Sequence, residues 1–187
     1  MTAPTFRVFS SDRVTTWILR AIQIGALLAL FVRDGVAQDS SLATPGGLAI
    51  GFTAGLPSYD RQTSLELTTI GLSFTQVRPA RLGFDVSVGT MPRVFVEGLT
   101  AVGARVGAVL PLRVAPGVMA LPGIGVSLIG VTDFSNGAAG TYGWNANLGL
   151  LGMVTESAAF RTTVSVHQFD DVRNVYLVEM GLSWFVK

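Results

Sequence analysis

The single histidine of the chain is the first residue to consider for chemistry, because imidazole is the side chain that most often serves as a general base. His167 lies two residues after Ser165, and Glu179 follows in the next segment of similar pattern. A serine, a histidine and a carboxylate are the components of a nucleophilic triad. Such chemistry requires that the three side chains face the same space and that a substrate can reach it.

Four charged residues stand within segments that otherwise contain apolar and small residues. They are Asp85, Arg105, Arg161 and Glu179. If these segments pair as consecutive hairpins, Asp85 falls opposite Arg105, and Glu179 falls opposite Thr163 and diagonal to Arg161. Unpaired charges in a low-dielectric interior are costly, so we expect two neutralising ion pairs. A gating or proton-relay role for the same residues stays open as an alternative.

The segments that carry these residues follow a period of two. Leu48, Phe52 and Leu56 share one face of the first segment, while Gly51 and Thr53 share the other. This alternation is typical of a β-strand with two different faces. It recurs along the chain and predicts eight strands, whose apolar faces span residues 48–56, 70–74, 82–88, 102–110, 124–128, 142–150, 160–166 and 176–184.

The second face of each predicted strand contains mostly Gly, Ser, Thr and Asn, and it includes Asn145, Asn147 and His167. A barrel in water needs charged side chains outside and bulky apolar ones inside, which is the inverse of this pattern. Lipid cannot hydrogen-bond backbone groups, so a closed sheet with an apolar exterior suits a membrane. The sequence therefore predicts an all-β fold, an eight-stranded antiparallel up-and-down transmembrane barrel over residues 48–187 with a polar, side-chain-filled lumen.

Composition agrees with this fold and excludes several functions. Charged residues make up 13% of the 187 residues, against roughly 25% in an ordinary soluble domain, and apolar residues make up 49%. The absence of cysteine excludes disulfides, thiolate metal sites and cysteine nucleophiles. A net charge of +1 with no basic run argues against nucleic-acid binding. The sequence contains no metal-ligand cluster and no phosphate-binding loop, so we expect neither a metal nor a cofactor.

The amino-terminal segment 1–37 has the pattern of a signal peptide. Arginines precede an apolar run over residues 21–32, which is too short to cross about 30 Å of hydrocarbon as a helix. The small residues Gly35-Val36-Ala37 predict cleavage after Ala37. A short linker over residues 38–47 would then lead into the barrel. An uncleaved helical anchor is the alternative interpretation.

Aromatic residues cluster near the ends of the predicted strands. Such residues form girdles at the two membrane interfaces. The predicted interfacial set is Phe74, Tyr142, Trp144, Phe160, Tyr176, Trp184 and Phe185.

The last predicted strand, VYLVEMGLSWFVK over residues 175–187, carries the most specific signal in the sequence. With the eight-strand pattern, it resembles the small eight-stranded outer-membrane β-barrels of the OmpA, OmpX and OmpW kind over residues 48–187. The resemblance implies contact with outer-membrane lipid and lipopolysaccharide, and recognition of the last strand by the barrel insertion machinery. That strand usually ends in an aromatic residue in the family, whereas here Val186-Lys187 follow Phe185.

Long and short connections alternate along the predicted barrel. The short connections cover residues 77–81, 113–118 and 155–158, and the long ones cover residues 57–64, 90–98, 132–141 and 168–174. Short turns lie on the periplasmic side of outer-membrane barrels. We therefore expect both termini in the periplasm of a Gram-negative-type bacterium and the long loops outside the cell, available to an unknown surface partner.

The family hosts several unrelated functions, so the resemblance carries no activity with it. We expect a non-enzymatic protein with a structural or surface-interaction role. The alternative is a narrow channel, or the binding and transport of a small hydrophobic molecule as in OmpW-like barrels. A lipid-modifying enzyme is more remote. Outer-membrane lipid A deacylases have a similar trio of residues, but their motif places histidine first, and alternation directs Ser165 and His167 into the lumen rather than toward lipid.

Overall fold

The computed structural model describes residues 46–59, 62–63, 68–91, 99–133, 137–169 and 172–186. The predicted signal peptide over residues 1–37 and most of the linker lie outside these residues. Ten antiparallel strands are present, namely β1 (Gly47–Tyr59), β2 (Gln62–Thr63), β3 (Thr69–Val77), β4 (Gly83–Thr90), β5 (Leu99–Val109), β6 (Leu112–Ala115), β7 (Val118–Asp133), β8 (Gly137–Met153), β9 (Ala158–Phe169) and β10 (Val172–Val186). Within the described ranges no helix is long and apolar enough to cross a membrane.

The sheet closes on itself. Its order is β10-β9-β8-β7-β5-β4-β3-β1, and β1 pairs in turn with β10, from Leu48 opposite Val186 to Tyr59 opposite Val175. The two short strands are additions, since β2 pairs with the end of β1 and β6 pairs with the beginning of β7. Eight long strands therefore form the wall, and the predicted eight-stranded up-and-down barrel is confirmed.

The alternation of residue types becomes an alternation of burial. On β7, Ile124, Val126 and Leu128 have 65%, 53% and 53% of their surface exposed, whereas Ser127 between them is 2% exposed. A strand turns successive side chains to opposite faces, so the apolar residues point away from the lumen and the polar residues into it. The outer wall is thus apolar, as the sequence predicts, while the inner face carries polar side chains and, toward one end, buried apolar ones.

One end of the barrel contains the short turns and both ends of the described chain. We call it the short-turn end and the opposite one the long-loop end. Gly117 closes the hairpin between β6 and β7 with a φ of 67°, a conformation that suits glycine. Two backbone hydrogen bonds tie this end together, from Ala80 N to Pro111 O and from Phe185 N to Ser157 O.

Several strands run further than the sequence indicated. Strand β1 continues to Tyr59, β7 continues to Asp133, and β8 already begins at Gly137. The connection between β7 and β8 is therefore shorter than predicted. Within the predicted long loops, residues 60–61, 64, 92–98, 134–136 and 170–171 lie outside the described part of the chain. Paired strands thus reach past the region where apolar alternation is clear.

Candidate functional site

A four-residue charge cluster crosses the middle of the lumen. Asp85 Oδ1 and Oδ2 accept hydrogen bonds from the two terminal nitrogens of Arg161 at 2.9 and 3.1 Å. Arg105 lies 3.3 Å from Asp85 Oδ2 through Nη2, and its Nη1 donates to Glu179 Oε2 at 2.9 Å. All four side chains are buried. The order Arg161, Asp85, Arg105, Glu179 alternates in charge, so the cluster is neutral as a whole and each charge is compensated.

Two of the three ion pairs cross the lumen, and the third joins neighbouring strands. The predicted ion pair of Asp85 with Arg105 is present, but the register differs by two residues, because Asp85 on β4 stands opposite Gly107 on β5 and Arg105 stands opposite Ser87. The predicted pairing of Glu179 with Thr163 is confirmed. Arg161 is diagonal to Glu179, as expected from that register, but its ion pair is with Asp85 across the barrel.

A second polar network surrounds His167. Its Nδ1 lies 2.7 Å from Ser127 Oγ, and its Nε2 lies 2.7 Å from Ser165 Oγ. Asn145 Nδ2 donates to Ser127 Oγ at 2.9 Å, and Asn147 Nδ2 donates to Asn145 Oδ1 at 3.5 Å. Both ring nitrogens are therefore engaged with hydroxyl groups. The three residues predicted to be polar lumen residues, Asn145, Asn147 and His167, belong to one connected chain.

The short-turn half of the lumen is apolar, which the sequence prediction missed. A buried cluster, the apolar floor, closes this end; its members are Ala49, Val77, Met119, Leu121, Leu151, Met153, Ala159 and Phe185. Most of these residues lie outside the bounds of the predicted strands. Leu151 and Met153 nevertheless follow Asn145 and Asn147 at intervals of two residues, so they point to the same inner face. Extending the period of two would have found them.

The long-loop half of the lumen contains a cavity of about 90 Å³, the long-loop cavity. Arg105, Ser127, His167 and Glu179 line it with polar groups, which connects it to both networks. Its apolar lining is formed by Pro57, Met91, Ile129, Phe169, Val175 and Leu177. The ring of Phe169 is stacked on that of His167, with 6.2 Å between the ring centres and an angle of 7° between the planes.

Solved structures share this architecture at low sequence identity. The N-terminal β-barrel domain of Pseudomonas aeruginosa OprF matches with a TM-score of 0.56 and 14% identity, over 75% of this chain and 98% of that one. Ail, the attachment invasion locus protein of Yersinia pestis, matches with 0.53 and 13%, over 75% and 99%. Neisserial surface protein A matches with 0.53 and 11%, over 74% and 96%. The chain has the fold of the small outer-membrane β-barrels. No protein-family model and no curated protein sequence matches it.

Six of the seven aromatic residues predicted to be interfacial lie on the outer surface of the barrel. Tyr142, Trp144, Tyr176 and Trp184 are between 44% and 64% exposed on the outer surface. Phe74 and Phe160 are half-buried on the same outer face. Phe185 is different, because it is buried in the apolar floor, so its prediction as an interfacial aromatic is wrong. Phe185 has the same parity as Glu179 and Ser183, which explains its inward direction.

The barrel does not bring Ser165, His167 and Glu179 together as a catalytic triad. His167 is in the lumen with 7% of its surface exposed, and both its nitrogens contact serine hydroxyls. The carboxylate of Glu179 bonds Arg105. A triad needs the carboxylate on the imidazole to orient the base. Among the residues that the structure describes, no three His, Asp or Glu side chains are grouped to hold a metal ion.

Proposed function

We propose that this chain is a non-enzymatic outer-membrane protein whose barrel is sealed, with a structural or surface-interaction role in the bacterial envelope. The observation that carries the proposal is the double closure of the lumen. The apolar floor blocks the short-turn end, and the charge cluster crosses the middle. An ion would have to enter an apolar layer and disturb compensated charges, and both steps are costly.

The outer surface supports a location in a membrane. Apolar side chains such as Phe52, Ile124 and Leu148 are more than half exposed on the outer wall, in a pattern that suits contact with outer-membrane lipid and lipopolysaccharide. We place both termini and the short turns in the periplasm. The long-loop end then faces the exterior, where the segments 57–64, 90–98, 132–141 and 168–174 are available to a surface partner. The terminal segment 175–187 is the proposed signal for the insertion machinery.

The same site geometry makes hydrolysis of membrane lipids a poor candidate. A lipid-modifying enzyme needs its nucleophile and base to meet an acyl chain at the outer wall. Here Ser165 and His167 are buried on the inner face of β9, separated from lipid by the sheet. The proposal therefore assigns His167 a structural place in the polar network of the lumen.

Conductance of the refolded protein in planar bilayers tests the sealed lumen. We expect no channel activity from the wild type, because two barriers of different chemistry lie in series. Insertion is verified in parallel on liposomes by protease protection and by the strand signal in circular dichroism. The variants Asp85→Ala and Arg105→Ala serve as controls. Reproducible wild-type conductance whose ion selectivity changes in either variant would make the protein a channel instead.

The second candidate is the binding of a small molecule, and the long-loop cavity is the observation that favours it. The cavity is lined by polar groups on one side and apolar groups on the other. Transport of that molecule through the barrel does not follow, because the apolar floor closes the lumen between the cavity and the short-turn end. Binding without transport is therefore compatible with a sealed lumen.

A further inference from the structure

We infer that the long-loop cavity is a blind-ended binding site for a small, uncharged, amphipathic molecule with a hydroxyl or carbonyl group, about the size of one aromatic ring. This inference deepens the second candidate function by naming the class of ligand, and it rests on that candidate. It is independent of whether the barrel is sealed, which the conductance measurement tests separately.

Compensated charges at the cavity determine the charge of the ligand. Arg105 and Glu179 line the cavity and are bonded to each other, and Arg105 also contacts Asp85. Because the cluster is neutral as a whole, no net charge is left to attract an anion or a cation. An ionised ligand group in this buried site would have no opposite charge to compensate its own, which is costly. The geometry points to an uncharged ligand.

Hydroxyl groups at the cavity give the ligand a polar anchor. Ser87 and Thr69 line the cavity with hydroxyl groups. The Ser127 hydroxyl also lines it, held by Asn145 and His167. A hydroxyl can donate and accept, so an alcohol, phenol or carbonyl oxygen finds a partner here.

The remaining wall suits an apolar and flat ligand body. Met91, Ile129, Val175 and Leu177 provide apolar surface, and Met adapts its shape to different ligands. Phe169 adds an aromatic ring to this wall. Ligand sites are typically lined by such apolar side chains with a few polar groups that set orientation.

The size of the cavity limits the ligand. Its volume is about 90 Å³. An engineered apolar cavity of roughly 150 Å³ takes up benzene. The long-loop cavity is smaller than that, so a single small ring is the largest ligand it can take, and such a ring binds only when adaptable wall side chains such as Met91 move aside. Long-chain lipids are too large.

Phenol is the probe that combines these properties. We would titrate it into the ¹⁵N-labelled, refolded barrel in lipid nanodiscs and follow the backbone amide signals. The expected result is saturable shifts centred on Gly103, Ser127 and His167. Benzene should bind several-fold more weakly, because it lacks the polar anchor, and benzoate should not bind, because its charge is uncompensated.

Two variants separate cavity binding from nonspecific effects. Gly103 lines the cavity, and the nearest atom to a Cβ added there is Leu128 O at 3.9 Å, so Gly103→Leu fills the cavity from an open position. It should abolish the saturable shifts while the rest of the spectrum is retained. Ser87→Ala should weaken phenol binding roughly fivefold to tenfold, the effect of one lost hydrogen bond, and leave benzene binding unchanged.

Ser73→Ala is the matched control for Ser87→Ala. Ser73 is likewise an inward serine on a neighbouring strand, but it is not part of the cavity lining. Its removal should leave phenol binding unchanged. The inference would be overturned by shifts confined to outward residues such as Phe52, which would show partition into lipid, by binding that survives Gly103→Leu, or by equal binding of benzoate.

Discussion

Asp85 is the residue on which the charge cluster depends most. It contacts both Arg105 and Arg161, whereas Glu179 contacts Arg105 alone. The period-two alternation was enough to predict that these residues point into the lumen, since each lies on the polar face of its strand. It predicted the ion pair of Asp85 with Arg105 on the neighbouring strand. It could not predict the pairs of Arg161 with Asp85 and of Arg105 with Glu179, because a partner across the barrel depends on closure of the sheet, which is not a local property.

Replacing Asp85 should destabilise the barrel strongly. Asp85→Ala leaves Arg161 buried without its ion pair, and breaking a buried pair costs about 3–5 kcal/mol. The free energy of unfolding in urea, measured in detergent micelles or liposomes, gives the value. The double variant Asp85→Ala/Arg161→Ala should lose less than the sum of the two single variants, because it removes both charges.

The control is Arg113→Ala, which removes an exposed arginine from β6. It should change the free energy of unfolding by less than about 0.5 kcal/mol. A loss for Asp85→Ala as small as that for Arg113→Ala would show that the cluster is not a structural ion-pair network.

Glycine positions along the strands determine how closely the wall elements approach. A Cβ added at Gly181 on β10 would overlap Phe52 O on β1, whereas one added at Gly103 on β5 meets nothing closer than 3.9 Å. The sequence presents both simply as strand glycines. Only the register and the local curvature of the closed sheet distinguish them.

This difference predicts opposite results for the same substitution. Gly181→Ala forces the β1–β10 seam apart and should destabilise the barrel by about 1–3 kcal/mol, the usual range for overpacking. Gly103→Ala should be neutral or slightly stabilising, because alanine restricts the unfolded chain. Unfolding in urea measures both, and equal effects would contradict the described seam.

The turn between β3 and β4 contains a residue in an unfavourable conformation. Ala80 has a φ of 55°, a left-handed value that costs a non-glycine residue roughly 1–2 kcal/mol. Ala80→Gly should therefore stabilise the barrel by about 0.5–1 kcal/mol, after the greater flexibility of glycine in the unfolded chain is subtracted. A decrease in the free energy of unfolding would argue against this turn geometry.

At the scale of the whole molecule, the sequence predicted the architecture because two requirements leave few solutions. Every backbone group must be paired in lipid, and the outer wall must be apolar, so period-two segments in even number imply a closed barrel. The division of the lumen was less predictable. The apolar floor, the charge cluster and the long-loop cavity follow one another along the axis, and such layers emerge only when strands of correct length are aligned in register.

The even-numbered residues of strands such as β7 point outward, and we expect them to lie in lipid. The chain contains no cysteine, so single-cysteine variants can each carry one nitroxide label. Labels at Ile124, Val126 and Leu128 in the liposome-reconstituted protein should collide readily with oxygen and little with a water-soluble nickel complex. A label at Glu156, in an exposed turn, should show the reverse. If the three β7 labels were as accessible to the nickel complex as the turn label, the outer face would be in water and the account would be contradicted.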